Sequence, residues 1–162
     1  MTEPHKLDQF DRAILRELVA DARATQAELA SRVHLSSTAV ARRQKLMEDN
    51  RLIAGYHAEI DLPALGFGTA VTVLITLANQ SDEALTLFER QVAACPSVAT
   101  CVLLSGSEDY LITLHARDLA DFERIHREEL STLPGVARMR SLFTLREVVR
   151  RDVPPALFPP SR

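Results

Sequence analysis

The sequence predicts an α+β protein with an N-terminal helix-turn-helix unit (winged-helix-like) and a C-terminal ferredoxin-like βαββαβ unit. Three observations lead there. Apolar residues recur at helical spacing through the first fifty positions. From Gly68 the period changes to two. Pro96-Ser97-Val98-Ala99 is echoed 38 residues later by Pro134-Gly135-Val136-Ala137, each joining a helix end to a strand start. The divisions expected are 1–55 for the helical unit, 56–67 for a linker strand and hinge, 68–150 for the βαββαβ unit and 151–162 for a Pro-rich extended tail.

The first helix follows Asp8, an N-cap residue, with Asp11 in its positive first turn and Phe10, Ile14, Leu15, Leu18 and Val19 on one face. Thr25-x-x-Glu28 is a capping box that opens a short helix burying Leu29, Ala30 and Val33. His34 suits the left-handed residue of a tight helix-to-helix turn, since His is among the few non-glycine types enriched there. Ser36 caps a third helix, with Leu35 and Val40 forming a hydrophobic staple. Asn50 is expected to supply that helix's left-handed cap.

On the third helix Val40 and Met47 turn inward, which leaves Ser37, Thr38, Ala39, Arg42, Arg43 and Lys45 outward. Small side chains at the amino end approach base edges, and cations one or two turns later meet phosphate. Charge placement supports this. The whole chain carries 19 basic and 22 acidic residues, a net charge of −3. From Leu29 to Met47 there is no acid, while Arg32, Arg42, Arg43 and Lys45 lie there. A plain three-helix bundle with a solvated basic face is the competing reading of the same residues.

Leu52 to Asp61 alternates loosely and is expected to form a strand, followed by Pro63, Gly66 and Gly68 as punctuation. Val71, Val73, Ile75 and Leu77 alternate with polar or small residues as a half-buried strand. Ser81 caps a helix bearing Leu85, Phe88 and Val92, which Pro96 stops. In the next strand Val98, Thr100, Val102 and Leu104 are expected on one side. Gly106 to Asp109 is a turn, Tyr110 to Ala116 its partner strand, and Asp118 caps a helix with Phe122, Ile125 and Leu130 inward. A last strand is expected over Val136 to Val148. With both helices on one sheet face, the other face, expected to include Leu103 and Ile112, predicts self-association through the sheets.

The classes excluded are as informative. Hydrophobic residues make up 46% and charged residues 25%, which rules out a disordered chain or a rod. The most apolar stretch, Thr69 to Ala78, holds three threonines and is too short to cross a bilayer. Met1 to Lys6 has no apolar core for a signal peptide. Cys95 and Cys101 match no disulfide framework or zinc spacing, and the five histidines show no ligand spacing. No triad, phosphate-binding glycine loop or Cys-His pair is present. The expectation is a cytoplasmic protein without metal, cofactor, catalytic residues or membrane contact.

The ordered segments Leu7-Asp8-x-x-Asp11-x-x-Ile14-Leu15, Glu28-Leu29-Ala30-x-x-Val33-x-Leu35-Ser36, Arg42-Arg43, Ile53-x-Gly55-Tyr56, Gly106-x-x-Asp109-Tyr110 and Leu133-Pro134-Gly135-Val136 resemble the Lrp/AsnC (feast/famine) family of bacterial transcriptional regulators, over residues 7 to 150. The resemblance implies a sequence-specific DNA-binding regulator and not an enzyme. Ser36, Ser37, Thr38, Ala39, Arg42, Arg43 and Lys45 would contact pseudo-palindromic double-stranded DNA. It also implies a homodimer that assembles further into tetramers or octamers, and an amino acid or related small molecule bound between subunits. For that effector Gly106, Ser107, Glu108 and Asp109 are the candidates: Gly106 for close approach and Asp109 for an α-ammonium. Read without the resemblance, the same four residues favour a β-hairpin turn with Gly at positive φ, and the resemblance brings the ligand-loop reading level with it.

Three positions depart from the family pattern: Gln44 stands where an apolar residue is usual, Arg51 where Gly is usual, and the turn lacks its aromatic residue. Gln44 predicts looser packing of the third helix, and Glu108 a cationic or more polar effector. A decarboxylase-like enzyme on this fold would be expected to lose Arg42, Arg43 and Lys45, and a sensor module without DNA binding is the other competing function.

Overall fold

The computed structural model describes residues 7–158. They form two compact units, one running up to Glu59 and resuming at Val149, the other Ile60–Val148. The expectation about Met1 to Lys6 and the end of the tail from residue 159 lie outside the described residues.

The first unit holds α1 (Gln9–Ala20), α2 (Gln26–Val33) and α3 (Ser37–Asp49) around Ile14, Leu18, Leu29, Val33, Val40 and Met47. Its helices start where short-range chemistry places them. Asp8 accepts from the amides of Phe10 and Asp11 while the Asp11 carboxylate accepts from the Asp8 amide, a capping box written with two aspartates. Thr25 and Glu28 reciprocate in the same way on α2, and Ser36 Oγ accepts from the Ala39 amide on α3. His34 closes α2 at φ 55°, ψ 45°, as its position predicts.

Two expectations fail here. Asn50 has φ −85° and instead donates its side-chain amide to Leu46 O, so the left-handed position falls one residue later, on Arg51 at φ 59°. The segment after it is not a strand: residues 51–61 carry no ladder and are largely exposed. Loose alternation is not sufficient for a strand, which needs a neighbouring edge to satisfy its amides.

The second unit is a four-stranded antiparallel sheet of order β2-β3-β1-β4, built from β1 (Thr69–Leu77), β2 (Val98–Leu103), β3 (Tyr110–Ala116) and β4 (Val136–Phe143). Helices α4 (Asp82–Val92) and α5 (Leu119–Glu128) cover one face. Val71, Val73, Ile75 and Leu77 of β1 and Tyr110, Ile112 and Leu114 of β3 meet Phe88, Val92, Phe122 and Ile125 there. Ser81 and Asp118 cap the two helices. This is the predicted βαββαβ order.

The faces of the edge strands differ from expectation. β2 shifts register between Val98 and Thr100, so that Val98 and Cys101 turn to the helices while Thr100 and Val102 face the open side. A bulge inserts one residue and reverses parity beyond it. Ile112 therefore belongs to the helix-covered core, and Leu103, its neighbour in parity, shares that face at the exposed rim. The open face carries Leu74, Leu111, Val102 and Leu142 among Thr72, Thr76, Thr100, Thr113, His115, Arg138 and Arg140, a mixed surface. β4 stops at Phe143 and not at Val148: Phe143 pairs with Val71, the Thr144 amide still donates to Ala70 O, and the ladder goes no further. In the tail Pro155–Leu157 make a 3-10 turn, so the chain is not extended throughout.

Candidate functional site

The amino end of α3 is the first candidate surface. Ser36, Ser37, Thr38, Arg42 and Lys45 are exposed and Ala39 is half-buried. The Ser36 hydroxyl takes one of the helix's orphan amides, that of Ala39, leaving others in the first turn for an external acceptor. No acid occupies that turn, so the positive end of the helix dipole is uncompensated. Thirteen residues span about 20 Å, a rod that fits a major groove about 12 Å wide.

The cations of α3 are not equivalent. Arg42 makes no ion pair among the described residues. Among the described residues Lys45 meets only Asp49, 3.2 Å away on the same exposed face, a contact water and salt easily break. Arg43 is engaged. Its Nη1 lies 2.8 Å from both Asp8 Oδ2 and Asp11 Oδ1, and its guanidinium stacks 5.6 Å above the Phe10 ring. The Asp11 side chain is only 8% exposed. Arg43 thus ties α3 to the start of α1, and the outward placement expected of it gives way to this clamp. Helical periodicity assigns a face but cannot name a partner 32 residues away.

Gln44 holds a polar relay. Gln26 Nε2 donates to Gln44 Oε1, Gln44 Nε2 to the Tyr56 hydroxyl, and Tyr56 to Glu48, each at 2.7 Å. Burial and the adjacent Glu48 charge raise the Tyr56 phenol above its ordinary value. Val40 and Met47 remain fully buried beside this relay, so the polar residue at position 44 does not loosen α3.

The second candidate is the turn before β3. The Asp109 amide donates to Ile75 O, and its carboxylate accepts from the Leu77 amide and from Gln80 Nε2, both at 2.7 Å. With both oxygens taken and 7% exposure, Asp109 pins the turn to β1. Gly106 does not have a positive φ, and a Cβ placed on it would meet no heavy atom within 4 Å. Neither backbone conformation nor internal clearance calls for glycine there. Glu108 Oε1 lies 3.0 Å from Arg140 Nη2, and its other oxygen accepts from the Ser107 hydroxyl. The Ser107 hydrogen bond, with Arg140 and Arg138 nearby, holds the Glu108 carboxyl below its usual range against a small burial effect. Arg138 and Arg140 were not singled out by sequence. Their signal was the alternate parity of β4, legible only once its register with β1 is known.

The two thiols are held in their protonated form. Burial first, and then Glu89, push Cys101 up to about 11, while burial and Glu129 raise Cys95.

Comparison with known proteins agrees with this geometry. A family model described as the AsnC-type helix-turn-helix domain matches residues 7–48, and one described as the Lrp/AsnC ligand binding domain matches 70–154. The Bkd operon transcriptional regulator of Pseudomonas aeruginosa is 35% identical over 150 residues, 93% of this chain and 98% of that protein. A leucine-responsive regulatory protein of Rhizobium meliloti is 36% identical over 143 residues, 88% and 92% of the two chains. Among solved structures, a transcriptional regulator from Neisseria meningitidis in complex with L-methionine superposes with a TM-score of 0.87 at 28% identity, covering 93% of this chain and 97% of that one.

Proposed function

Because this chain belongs to the Lrp/AsnC family, and is accordingly a DNA-binding transcriptional regulator and not an enzyme, we propose that α3 enters the major groove and that the Gly106–Asp109 turn receives an amino-acid effector. The observation that carries the first part is the exposed, acid-free amino end of α3. In this reading the exposed Ser36, Ser37 and Thr38 at the amino end meet base edges, and the exposed Arg42 and Lys45 further along the rod meet phosphates. Arg43 is a positioning residue in this reading, because its guanidinium is already spent on Asp8 and Asp11.

Support for the second part comes from Gly106, whose position is open to an external group, and from the relatives. One relative is called leucine-responsive and one structural neighbour is complexed with L-methionine. Within the turn, Glu108 is the carboxylate that an α-ammonium can reach, because its side chain is partly exposed and its partners Arg140 and Ser107 lie at the surface, whereas Asp109 is buried and holds β1 and Gln80. Two copies joined through their open sheet faces, at Val102, Leu111 and Leu142, carry two α3 helices, one for each half-site of a pseudo-palindrome, and bring the turn to a subunit boundary. Tetramers or octamers are the further assembly proposed.

A mobility-shift titration on DNA recovered by genome-wide mapping, run across a salt series, tests the first part. Arg42→Ala is expected to lower the salt slope by about 0.9, the value of one phosphate contact. An unchanged slope with unchanged affinity removes Arg42, and the face it defines, from the interface.

A further inference from the structure

Resting on the effector reading of the Gly106–Asp109 turn, we propose that this site selects an α-amino acid whose side chain ends in an amide or a carboxylate. Thr76, Arg138, Arg140 and Glu108 are the selecting residues. The Glu108–Arg140 ion pair runs from the turn between β2 and β3 to β4, and therefore passes over β1, which lies between those strands in the sheet. On β1 the residue opposite Arg138 is Thr76. Its neighbours Ile75 and Leu77 point to the helices and bind the Asp109 backbone and carboxylate, so Thr76 faces the open side next to the same turn. The Thr76 hydroxyl is buried and has no hydrogen-bond partner among the described residues. A buried hydroxyl without a partner is rare in a folded protein and calls for an explanation.

A bound zwitterion supplies one. Its α-ammonium pairs with Glu108 and its α-carboxylate with Arg140, so the two charges that now neutralise each other are each neutralised by the ligand. The floor then left to the side chain carries two donors, the Thr76 hydroxyl and the Arg138 guanidinium, beside Leu74, which lies opposite Arg140. An amide oxygen or a carboxylate accepts from both. A leucine side chain accepts from neither, and a methionine thioether only weakly. A site built to hydrogen-bond its ligand penalises an apolar analogue heavily, because its own polar groups stay unpaired.

Titration calorimetry on the full chain with asparagine, glutamine, aspartate, glutamate, leucine and methionine tests this. At least one of the first four is expected to bind about tenfold or more tightly than leucine and methionine. Thr76→Val keeps the side-chain shape and removes only the unpaired hydroxyl, and Arg138→Gln is an exposed change that leaves folding intact. Each is expected to reduce the preference to below about threefold while leucine affinity stays in place. Leucine or methionine binding as tightly as the polar amino acids, or a preference that survives both substitutions, overturns the selectivity and leaves the effector reading standing. The absence of heat from every amino acid overturns the effector reading itself, and this inference with it.

Discussion

Replacing Arg43 by alanine separates a helix-positioning arginine from a phosphate-binding one. In the folded chain one guanidinium nitrogen serves both Asp8 and Asp11 at 2.8 Å. Asp8 is nearly half exposed, and such a pair contributes about 0–1 kcal/mol. Asp11 is 8% exposed and would be left charged beside the core; breaking a fully buried pair costs about 3–5 kcal/mol. Arg43 itself is 26% exposed, so water screens part of that cost, and Asp11 keeps its hydrogen bond from the Asp8 amide. Half the buried-pair figure plus the exposed pair gives roughly 2–3 kcal/mol for Arg43→Ala.

Urea unfolding followed by a probe in the helical unit is expected to show a midpoint lower by roughly 1–2 M. DNA affinity should fall with it, because α3 loses its tether to α1, while the salt slope stays that of wild type. The pH dependence has a definite sign. Burial alone would raise the Asp8 carboxyl, but the hydrogen bonds from the Asp11 amide and Arg43 outweigh it and lower the value below 3.8. A group depressed on folding stabilises the protein above its unfolded value and loses that contribution as pH falls through the folded one. Wild type therefore weakens below about pH 4 through Asp8, and Arg43→Ala flattens that limb. Full stability in Arg43→Ala, together with a slope reduced by about 0.9, would refute the clamp: the arginine would then be leaving its carboxylates for a phosphate.

Asp109→Ala is expected to unfold the sheet unit about 1–3 kcal/mol more easily, since it strands the Leu77 amide and Gln80; thermal denaturation checks this, and a variant of wild-type stability would return Asp109 to the list of free ligand groups. Arg51→Gly is expected to stabilise the helical unit by about 0.5–1 kcal/mol, because a left-handed residue at φ 59° costs a non-glycine side chain about that much; a lowered urea midpoint would show that the arginine side chain contributes more than its backbone costs.

The residues with near neighbours in the chain were the ones sequence could read. Thr25 with Glu28, Ser36 with Ala39, Asp118 with Asp121 and the left-handed His34 each satisfy a backbone group three or four positions away, or answer a constraint on one residue alone. The same holds for the alternation of β1, whose inward residues Val71, Val73, Ile75 and Leu77 follow from period alone and lie in the core; on β3 the period marks a strand but not its face, since Ile112, expected on the open side, lies in the core. Local propensity and global fold agree at these places, so the chain needs no distant partner to specify them.

What only the tertiary structure decided are contacts whose partners lie about thirty residues apart or depend on strand register. Arg43 and Asp11 are 32 positions apart, as are Glu108 and Arg140. From sequence each was a surface charge with several eligible partners. The bulge in β2 reversed the side on which Thr100 and Val102 stand, and residues 51–61 stayed out of the sheet for want of a neighbouring edge. Hydrogen bonds that close within a helical turn are settled by composition. Those that cross elements are settled by which surfaces the hydrophobic core brings together, and that choice is made by the whole fold at once.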